Sequence, residues 1–287
     1  MTETRRVETI IEPQSVLEGA GVKLQRSIGT RTVNYLDPFL LLDDFASHDR
    51  RDYEAGFPLH PHRGIETVTY ILSGAVHHKD TLGNSGSIGA GDIQWMTSGR
   101  GILHEEMPQV RPEGIVGFQL WVNLPAKVKM TKPRYQDVRA DRIPEIQGKD
   151  GARIKVIAGR VGEVRGAVSD IAADPTYIDV LVPPRSAYRA PVPRGHTAFA
   201  YLFQGRATFP GPGHEEVVVS HPRLVVLGDG DEVRVTTGDE PARFLLVSGK
   251  PLHEPIARYG PFVMNTRAEI EQALEDLRRG TFVAEGA

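Results

Sequence analysis

The sequence predicts an all-β protein built from two similar domains, with one short helix near the C-terminus. The first observation is the content of turn-forming residues. The 287 residues include 30 glycines and 21 prolines, together about 18% of the chain, whereas these two residue types make up ~12% of a typical chain. The second is that short apolar runs alternate with Gly, Pro and Asp along most of the chain. The third is an internal repeat, which indicates that one β architecture occurs twice.

The predicted strands fall into two groups on either side of residues 144–150. In the first half they cover Thr67–Leu72, Ile93–Met96 and Val116–Val122. In the second half they cover Lys155–Ala158, Tyr177–Val182, Thr197–Phe203, Val217–Ser220, Arg223–Leu227, Glu232–Thr236 and Arg243–Val247. Short strands at this spacing are typical of a β-sandwich or a β-barrel.

A helix is predicted over residues 266–279. Thr266 and Glu269 have the spacing of a capping box, and Gly280 is placed to end the helix. Between them, Ile270, Ala273, Leu274 and Leu277 form one apolar stripe. We interpret this segment as a packing helix without a chemical role.

Two motifs recur in the two halves of the chain. His60–Gly64 (HPHRG) resembles Pro191–Gly195 (PVPRG), and each leads through a β run to a second glycine, Gly74 or Gly205. A second match pairs Gly89–Gly99 with Gly228–Gly238. We therefore predict two domains, at residues 1–143 and 151–287, the latter including the helix.

Composition excludes several classes of function. The formal net charge is −3 and the pI is about 6.4, so a broad electrostatic surface for nucleic acid or anionic membrane is not expected. The sequence has no cysteine, which excludes disulfides, zinc–thiolate sites, iron–sulfur clusters and thiol nucleophiles. No apolar run reaches the ~20 residues of a membrane span, and no signal peptide is visible. We expect a cytoplasmic protein.

The candidate metal ligands occur in one half of the repeat only. They are His60, His62, His104 and Glu106, and the repeat aligns them with Pro191, Pro193, Arg243 and Leu245. Each pair is spaced i, i+2, so both members of a pair point to the same face of an extended segment. Three imidazoles and one carboxylate suit Fe, Mn, Co, Ni, Cu or Zn, of which zinc would support only Lewis-acid chemistry. Residue types alone allow Glu66 as an alternative fourth ligand. In that case Glu106 would support a ligand or act as a base next to the metal.

Two further features have competing interpretations. Arg63 could orient a ligand phenolate or pair with Glu66, but its repetition as Arg194 favours a structural or solvated side chain. His77 and His78 are adjacent, so only one can face the interior, and we interpret both as surface or structural residues.

Four segments closely resemble the pirin family of bicupins: Phe57–Val68, Gly91–Pro108, Gln119–Leu124 and Gly260–Thr266. The resemblance implies two cupin β-barrels that face each other. The N-terminal barrel would hold a mononuclear non-haem metal on His60, His62, His104 and Glu106, and the C-terminal barrel would lack metal ligands. This favours Glu106 over Glu66 as the fourth ligand. The metal would be iron, as Fe(II), with Mn, Co, Ni or Cu as alternatives.

The resemblance also implies a function. Some bacterial pirins are quercetin 2,3-dioxygenases, which open a flavonol ring with O₂ and release CO, and Glu106 would then take the flavonol 3-hydroxyl proton. Other members are redox-sensitive regulatory proteins that modulate a transcription factor or a metabolic enzyme without turnover. The expected partners are a flavonol-like small molecule, O₂ and, in the regulatory case, a protein. We expect a monomer that binds neither nucleic acid nor membrane directly.

Overall fold

The computed structural model describes residues 2–148, 150–213 and 215–283, which form β-strands and one α-helix. The strands up to residue 138 are β1 (Val7–Ile11), β2 (Gln14–Glu18), β3 (Val22–Ile28), β4 (Phe39–Ser47), β5 (Phe57–His62), β6 (Ile65–Ser73), β7 (Ala75–Asp80), β8 (Ser85–Gly89), β9 (Ile93–Thr97), β10 (Ile102–Pro108), β11 (Ile115–Asn123) and β12 (Arg134–Val138). The later elements are β13 (Glu145–Gln147), β14 (Arg153–Ala158), β15 (Arg160–Val161), β16 (Val164–Arg165), β17 (Thr176–Val182), β18 (Ala187–Pro191), β19 (Thr197–Pro210), β20 (Glu216–Ser220), β21 (Arg223–Leu227), β22 (Glu232–Thr236), β23 (Ala242–Gly249), β24 (Ala257–Tyr259), β25 (Phe262–Met264) and α1 (Arg267–Arg279). The all-β prediction and the single helix are confirmed.

The chain forms two compact units, and each takes one terminal segment from the other end of the sequence. The N-terminal unit comprises Gln14–Ala140 and the segment that begins at Leu252, and the C-terminal unit comprises Asp141–Pro251 and the segment that ends at Pro13. This corrects the predicted boundaries at 1–143 and 151–287 at both termini. The repeat motifs mark the centre of each unit but contain no information about which unit a terminal segment joins.

The N-terminal unit contains two large sheets, a two-stranded hairpin and the helix. A seven-stranded sheet has the order β12-β9-β6-β11-β4-β3-β2, and a four-stranded sheet has the order β5-β10-β7-β8. Side chains such as Trp95 and Phe118 are buried and belong to its core. The hairpin β24–β25 and helix α1 complete this unit, with Phe262, Met264 and Ile270 buried together.

In the C-terminal unit the corresponding strands are connected into one ten-stranded sheet. Its main path is β1-β21-β19-β23-β17-β14-β13, and β18, β20 and β22 join beside that path. Strand β1 pairs with β21, and the buried Arg5 donates hydrogen bonds to the carbonyls of Pro193, His196 and Gly228. These bonds explain why the first residues of the chain belong to this unit.

The first repeat motif is reproduced in the structure. Gly64 and Gly74 bound β6 with φ values of +82° and +81°, and Gly195 and Gly205 have φ values of +74° and +76°. Both pairs therefore use the left-handed conformation that favours glycine. At Gly64 an added Cβ would lie 2.0 Å from the Val263 carbonyl oxygen, so a side chain there would clash with the hairpin.

The second repeat match is out of register by one strand. The glycines at 89–91 precede β9, which pairs with β6, whereas those at 228–230 precede β22, which pairs with β18 and with the second part of β19. Strand β10 pairs with β5 and β7 in the same way, so the counterpart of β10 is β22. Arg243 and Leu245 lie on β23 and are not the counterparts of His104 and Glu106. Strand β22 (EVRVT) contains no histidine.

Helix α1 begins and ends where the sequence predicts. Thr266 is its N-cap, the reciprocal capping-box bonds with Glu269 are present, and Gly280 has φ +71° at the C-cap. Arg63 holds the helix against the end of β5, since its Nη1 donates to Asp276 at 2.6 Å and its guanidinium lies 4.4 Å from the Phe282 ring centre. Among the described residues, no helix has the length and apolarity needed to cross a membrane.

Candidate metal centre

Three histidines converge on one point in the N-terminal unit. Strands β5 and β10 are antiparallel neighbours, with His104 opposite His60 and Ile102 opposite His62. One ring nitrogen from each of the three histidines can be chosen so that all three lie within 4.8 Å of one another. The ring centres are 4.5 to 5.1 Å apart. Among the described residues this is the one cluster of three or more His, Asp or Glu side chains with such spacing.

The three imidazoles are suited to act as metal ligands because burial keeps two of them neutral. Desolvation lowers the pKa of His104 to about 4, and it also lowers the pKa of His62. Metal coordination requires the neutral imidazole. Within the described part of the chain, both ring nitrogens of His104 and Nδ1 of His62 are buried without a hydrogen-bond partner. Such groups are costly unless a ligand satisfies them, so the cluster fits a divalent metal ion.

His60 differs from the other two histidines because it lies at the solvent-facing side of the cluster. Its Nδ1 is 2.9 Å from the Pro58 carbonyl oxygen. A hydrogen bond from Nδ1 to this carbonyl leaves the lone pair on Nε2 available and fixes the ring orientation, as partners of metal-bound histidines commonly do.

Glu106 is buried beside the histidines but its carboxylate is directed towards the other sheet. Its Oε1 accepts from Thr69 Oγ1 at 3.2 Å, and Gln119 Nε2 lies 3.2 Å from Oε2 and 3.4 Å from Oε1. The alternation on β10 is as predicted, with His104 and Glu106 buried and Glu105 partly exposed. The carboxylate lies outside the three-histidine cluster.

Glu66 occupies the opposite side of its strand. It accepts a hydrogen bond from Thr97 Oγ1 at 2.8 Å, within the seven-stranded sheet. Thr69, three residues later on β6, faces Glu106, and alternation along a strand therefore directs Glu66 to the other face. The geometry places Glu106, and not Glu66, on the side of the histidines.

Gln119 and Trp121 are site residues that the sequence reasoning missed. They are spaced i, i+2 on β11, and Gln119 Oε1 accepts from Trp121 Nε1 at 3.4 Å while its amide nitrogen donates to Glu106. The Trp121 and His62 rings are nearly perpendicular, with centres 5.1 Å apart. The available signal was a glutamine in the middle of the apolar run VGFQLWV.

A cavity of about 510 Å³ opens at the histidines. His60, His62, Gln119 and Trp121 form one part of its lining, and the β24–β25 hairpin contributes Arg258, Gly260 and Pro261. Ligand cavities are typically ~300–1,000 Å³, so the space is sufficient for an aromatic molecule of several rings. Behind Glu106 a second cavity has mainly apolar walls, including Val22, Leu24 and Tyr53.

Lys129 connects the histidine strand to this hairpin. Its buried Nζ donates to the carbonyl oxygens of Gly64 and Val263, both at 2.8 Å, and to Asn123 Oδ1 at 2.6 Å. Burial lowers the pKa of Lys129 to about 8. The Lys129 ammonium therefore helps to hold the β24–β25 hairpin, which forms one wall of the cavity, next to the end of β5.

The remaining predicted side chains have structural roles. Arg63 is buried and pairs with Asp276, so the structural interpretation applies and the pairing with Glu66 does not. Arg194, its counterpart in the repeat, is exposed and pairs with Asp231. His77 is exposed, whereas His78 is buried and stacks on Tyr135 with ring centres 5.7 Å apart.

Known proteins resemble this chain over nearly its whole length. The Pirin family model matches residues 21–122, and the model of the Pirin C-terminal cupin domain matches residues 177–283. A pirin-like protein from Caulobacter vibrioides is 43% identical, with 97% of this chain and 99% of that protein covered. Human pirin is 41% identical, with 97% and 94% covered. A crystal structure of a quercetin 2,3-dioxygenase from Acinetobacter baumannii has a TM-score of 0.86 and 34% identity, with 97% and 98% covered.

Proposed function

This chain belongs to the pirin family, and on that premise we propose that it is a metal-dependent dioxygenase of the quercetin 2,3-dioxygenase type. The substrate would be a flavonol, whose central ring is opened by O₂ with release of CO. The observation that carries the proposal is the cluster of three imidazoles at the wall of a cavity large enough for such a molecule. The similarity to the Acinetobacter baumannii enzyme supports the choice of substrate class.

We propose His60, His62, His104 and Glu106 as the ligands of Fe(II). The three histidines supply nitrogen lone pairs, and Glu106 is the buried carboxylate on the same strand as His104. The same donor set also accepts Mn, Co, Ni or Cu. When bound, the metal would lower the pKa of the flavonol 3-hydroxyl and allow electrons to pass between flavonol and O₂.

The protein's own contribution to the reaction is proton transfer and orientation. Glu106 would accept the 3-hydroxyl proton at Oε2, the oxygen with the fewer hydrogen bonds. General base catalysis of this kind contributes ~10²–10⁴-fold in rate. Gln119 and Thr69 hold the carboxylate in place, and the ring of Trp121 offers an apolar surface next to His62.

The test combines metal analysis with product detection. The purified native protein is analysed for bound metal and then incubated with quercetin, with and without O₂, and CO is measured. We expect O₂-dependent CO release, its loss in His62→Ala and its retention in the matched variant His77→Ala, since His77 is exposed and outside the cluster.

Absence of CO with every one of Fe, Mn, Co, Ni and Cu would overturn the enzymatic proposal. If metal binds under those conditions without turnover, the regulatory role becomes the better account. Capture of a stoichiometric protein partner that depends on the oxidation state of the metal would then support that role.

A further inference from the structure

The wall of the metal cavity carries a cation, Arg258, that the proposed reaction does not use. It lies on β24 and lines the same cavity as His60 and His62. Its guanidinium carbon is 5.2 Å from the centre of the Trp121 ring, and that ring packs perpendicular to His62 with ring centres 5.1 Å apart. A ligand in this cavity that contacts Trp121 would therefore lie close to both His62 and Arg258.

Arg258 makes only weak bonds with the protein. Its Nη1 is 3.3 Å from the Leu40 carbonyl oxygen, and its Nε is 3.4 Å from the Gly260 carbonyl oxygen. These distances lie beyond the 2.7–3.2 Å usual for N–H···O bonds. In residues 2–148, 150–213 and 215–283, no carboxylate oxygen lies within 4.0 Å of its side-chain nitrogens.

The carboxylates of the cavity are bound to a different arginine. Asp43 is buried, and its two oxygens accept from Nε and Nη2 of Arg26, both at 2.7 Å. Glu18 Oε1 accepts from Arg26 Nη1 at 2.7 Å. Because both carboxylates are directed at Arg26, Arg258, an exposed residue of the cavity wall, retains donors that can reach a ligand.

We propose that Arg258 is a specificity-determining residue that selects substrates with an anionic oxygen in addition to their metal-binding oxygens. This inference rests on the proposed function and narrows its substrate class to acidic flavonols or similar aromatic acids. A planar guanidinium pairs with a carboxylate through two parallel hydrogen bonds and stacks on aromatic faces. Both properties suit a carboxylated aromatic ring that lies on Trp121.

The experiment compares matched ligands by binding rather than by turnover. The ligands are 3-hydroxyflavone and its 3′- and 4′-carboxylates, and the protein is the metal-loaded full chain without O₂. Dissociation constants come from quenching of tryptophan fluorescence, because Trp121 lines the cavity whereas Trp95 is buried in the core. The variants are Arg258→Gln, Arg258→Lys and the control Arg267→Gln, since Arg267 is exposed on α1.

We expect the wild type to bind at least one carboxylate about tenfold more tightly than the neutral parent, as one charge-assisted pair permits. Arg258→Gln should remove this preference with little change for the parent, Arg258→Lys should keep part of it, and Arg267→Gln should keep all of it. The preference should weaken as salt is raised, because the pair is accessible to solvent.

The outcomes separate this inference from the proposal on which it rests. Binding of all three ligands without a charge preference, or an equal loss for all three in Arg258→Gln, overturns the inference alone. A preference that depends on Arg258 without CO release in air supports the inference and contradicts the enzymatic proposal. No quenching by any of the three ligands overturns both.

Discussion

Replacing Lys129 by methionine should destabilise the N-terminal unit, because the change removes a buried donor and keeps most of the length of the side chain. The Lys129 ammonium serves the Gly64 and Val263 carbonyls and the Asn123 amide oxygen. The Gly64 oxygen keeps a second donor, the Leu124 amide at 3.3 Å. In the variant, the Val263 carbonyl oxygen and the Asn123 amide oxygen therefore lose their donor and stay buried.

The size of the effect follows from those two acceptors. A buried polar group left without a partner costs ~1–3 kcal/mol, so two give about 2–6 kcal/mol. Relief from burying an ammonium offsets part of this cost, as the lowered pKa of Lys129 indicates. We expect a loss of about 3 kcal/mol in the free energy of unfolding, or about 6–12 °C in Tm at ~2–4 °C per kcal/mol.

The assay is urea denaturation followed by circular dichroism, together with calorimetry. Lys127→Met is the matched control, because Lys127 is exposed and lies two residues earlier, and it should stay within ~0.5 kcal/mol of wild type. A Lys129→Met variant as stable as that control would refute the reasoning. It would mean that the desolvation cost of the ammonium cancels its three hydrogen bonds.

Three further predictions concern the site and the helix. His62→Ala should weaken metal binding by well over the ~10–100-fold typical of residues that only support a ligand, as measured by competition with a chelator. Gln119→Leu, which removes the donor to Glu106, should lower metal affinity or kcat within that ~10–100-fold range without loss of fold by circular dichroism. Burial acts to raise the pKa of Asp276, but the hydrogen bond from Arg63 and other nearby donors holds it below the ordinary 3.8. The ionised pair therefore stabilises the fold at neutral pH, and this stabilisation is lost as pH falls below about 3.8. Urea midpoints at pH 6 and pH 3 should differ less in Asp276→Asn than in wild type, and an equal difference would contradict the assignment.

The shared face of His60 and His62 was predictable because its geometry is local, whereas the position of His104 beside them was expected from the resemblance to pirins. His60 and His62 share one face of a strand through the period of two, and His104 lies directly opposite His60 on the neighbouring strand. The helix was predictable for the same reason, since Thr266, Glu269 and Gly280 act within one or two turns of it. In both cases residue type and spacing contain most of the information.

Contacts between segments distant in the chain were not predictable in this way. The bond from Gln119 to Glu106 crosses from one sheet to the other, and no spacing rule connects the two positions. The counterpart of β10 in the repeat was assigned to the wrong strand, because Gly-Asp turns precede many strands and do not identify them. The exchange of terminal segments was missed because Arg5 and Arg63 act on partners far away in sequence.

The exchange of terminal segments also sets the order in which a growing polypeptide can finish its two halves. Once synthesis has passed Pro251, every residue of the C-terminal unit has been made. At that point the unit that contains the histidines has its segment Gln14–Ala140 but still lacks the hairpin with Arg258 and the helix that pairs with Arg63. The histidine unit is thus completed after the C-terminal unit, and its cavity gains the hairpin wall only after residues 141–251 have been made.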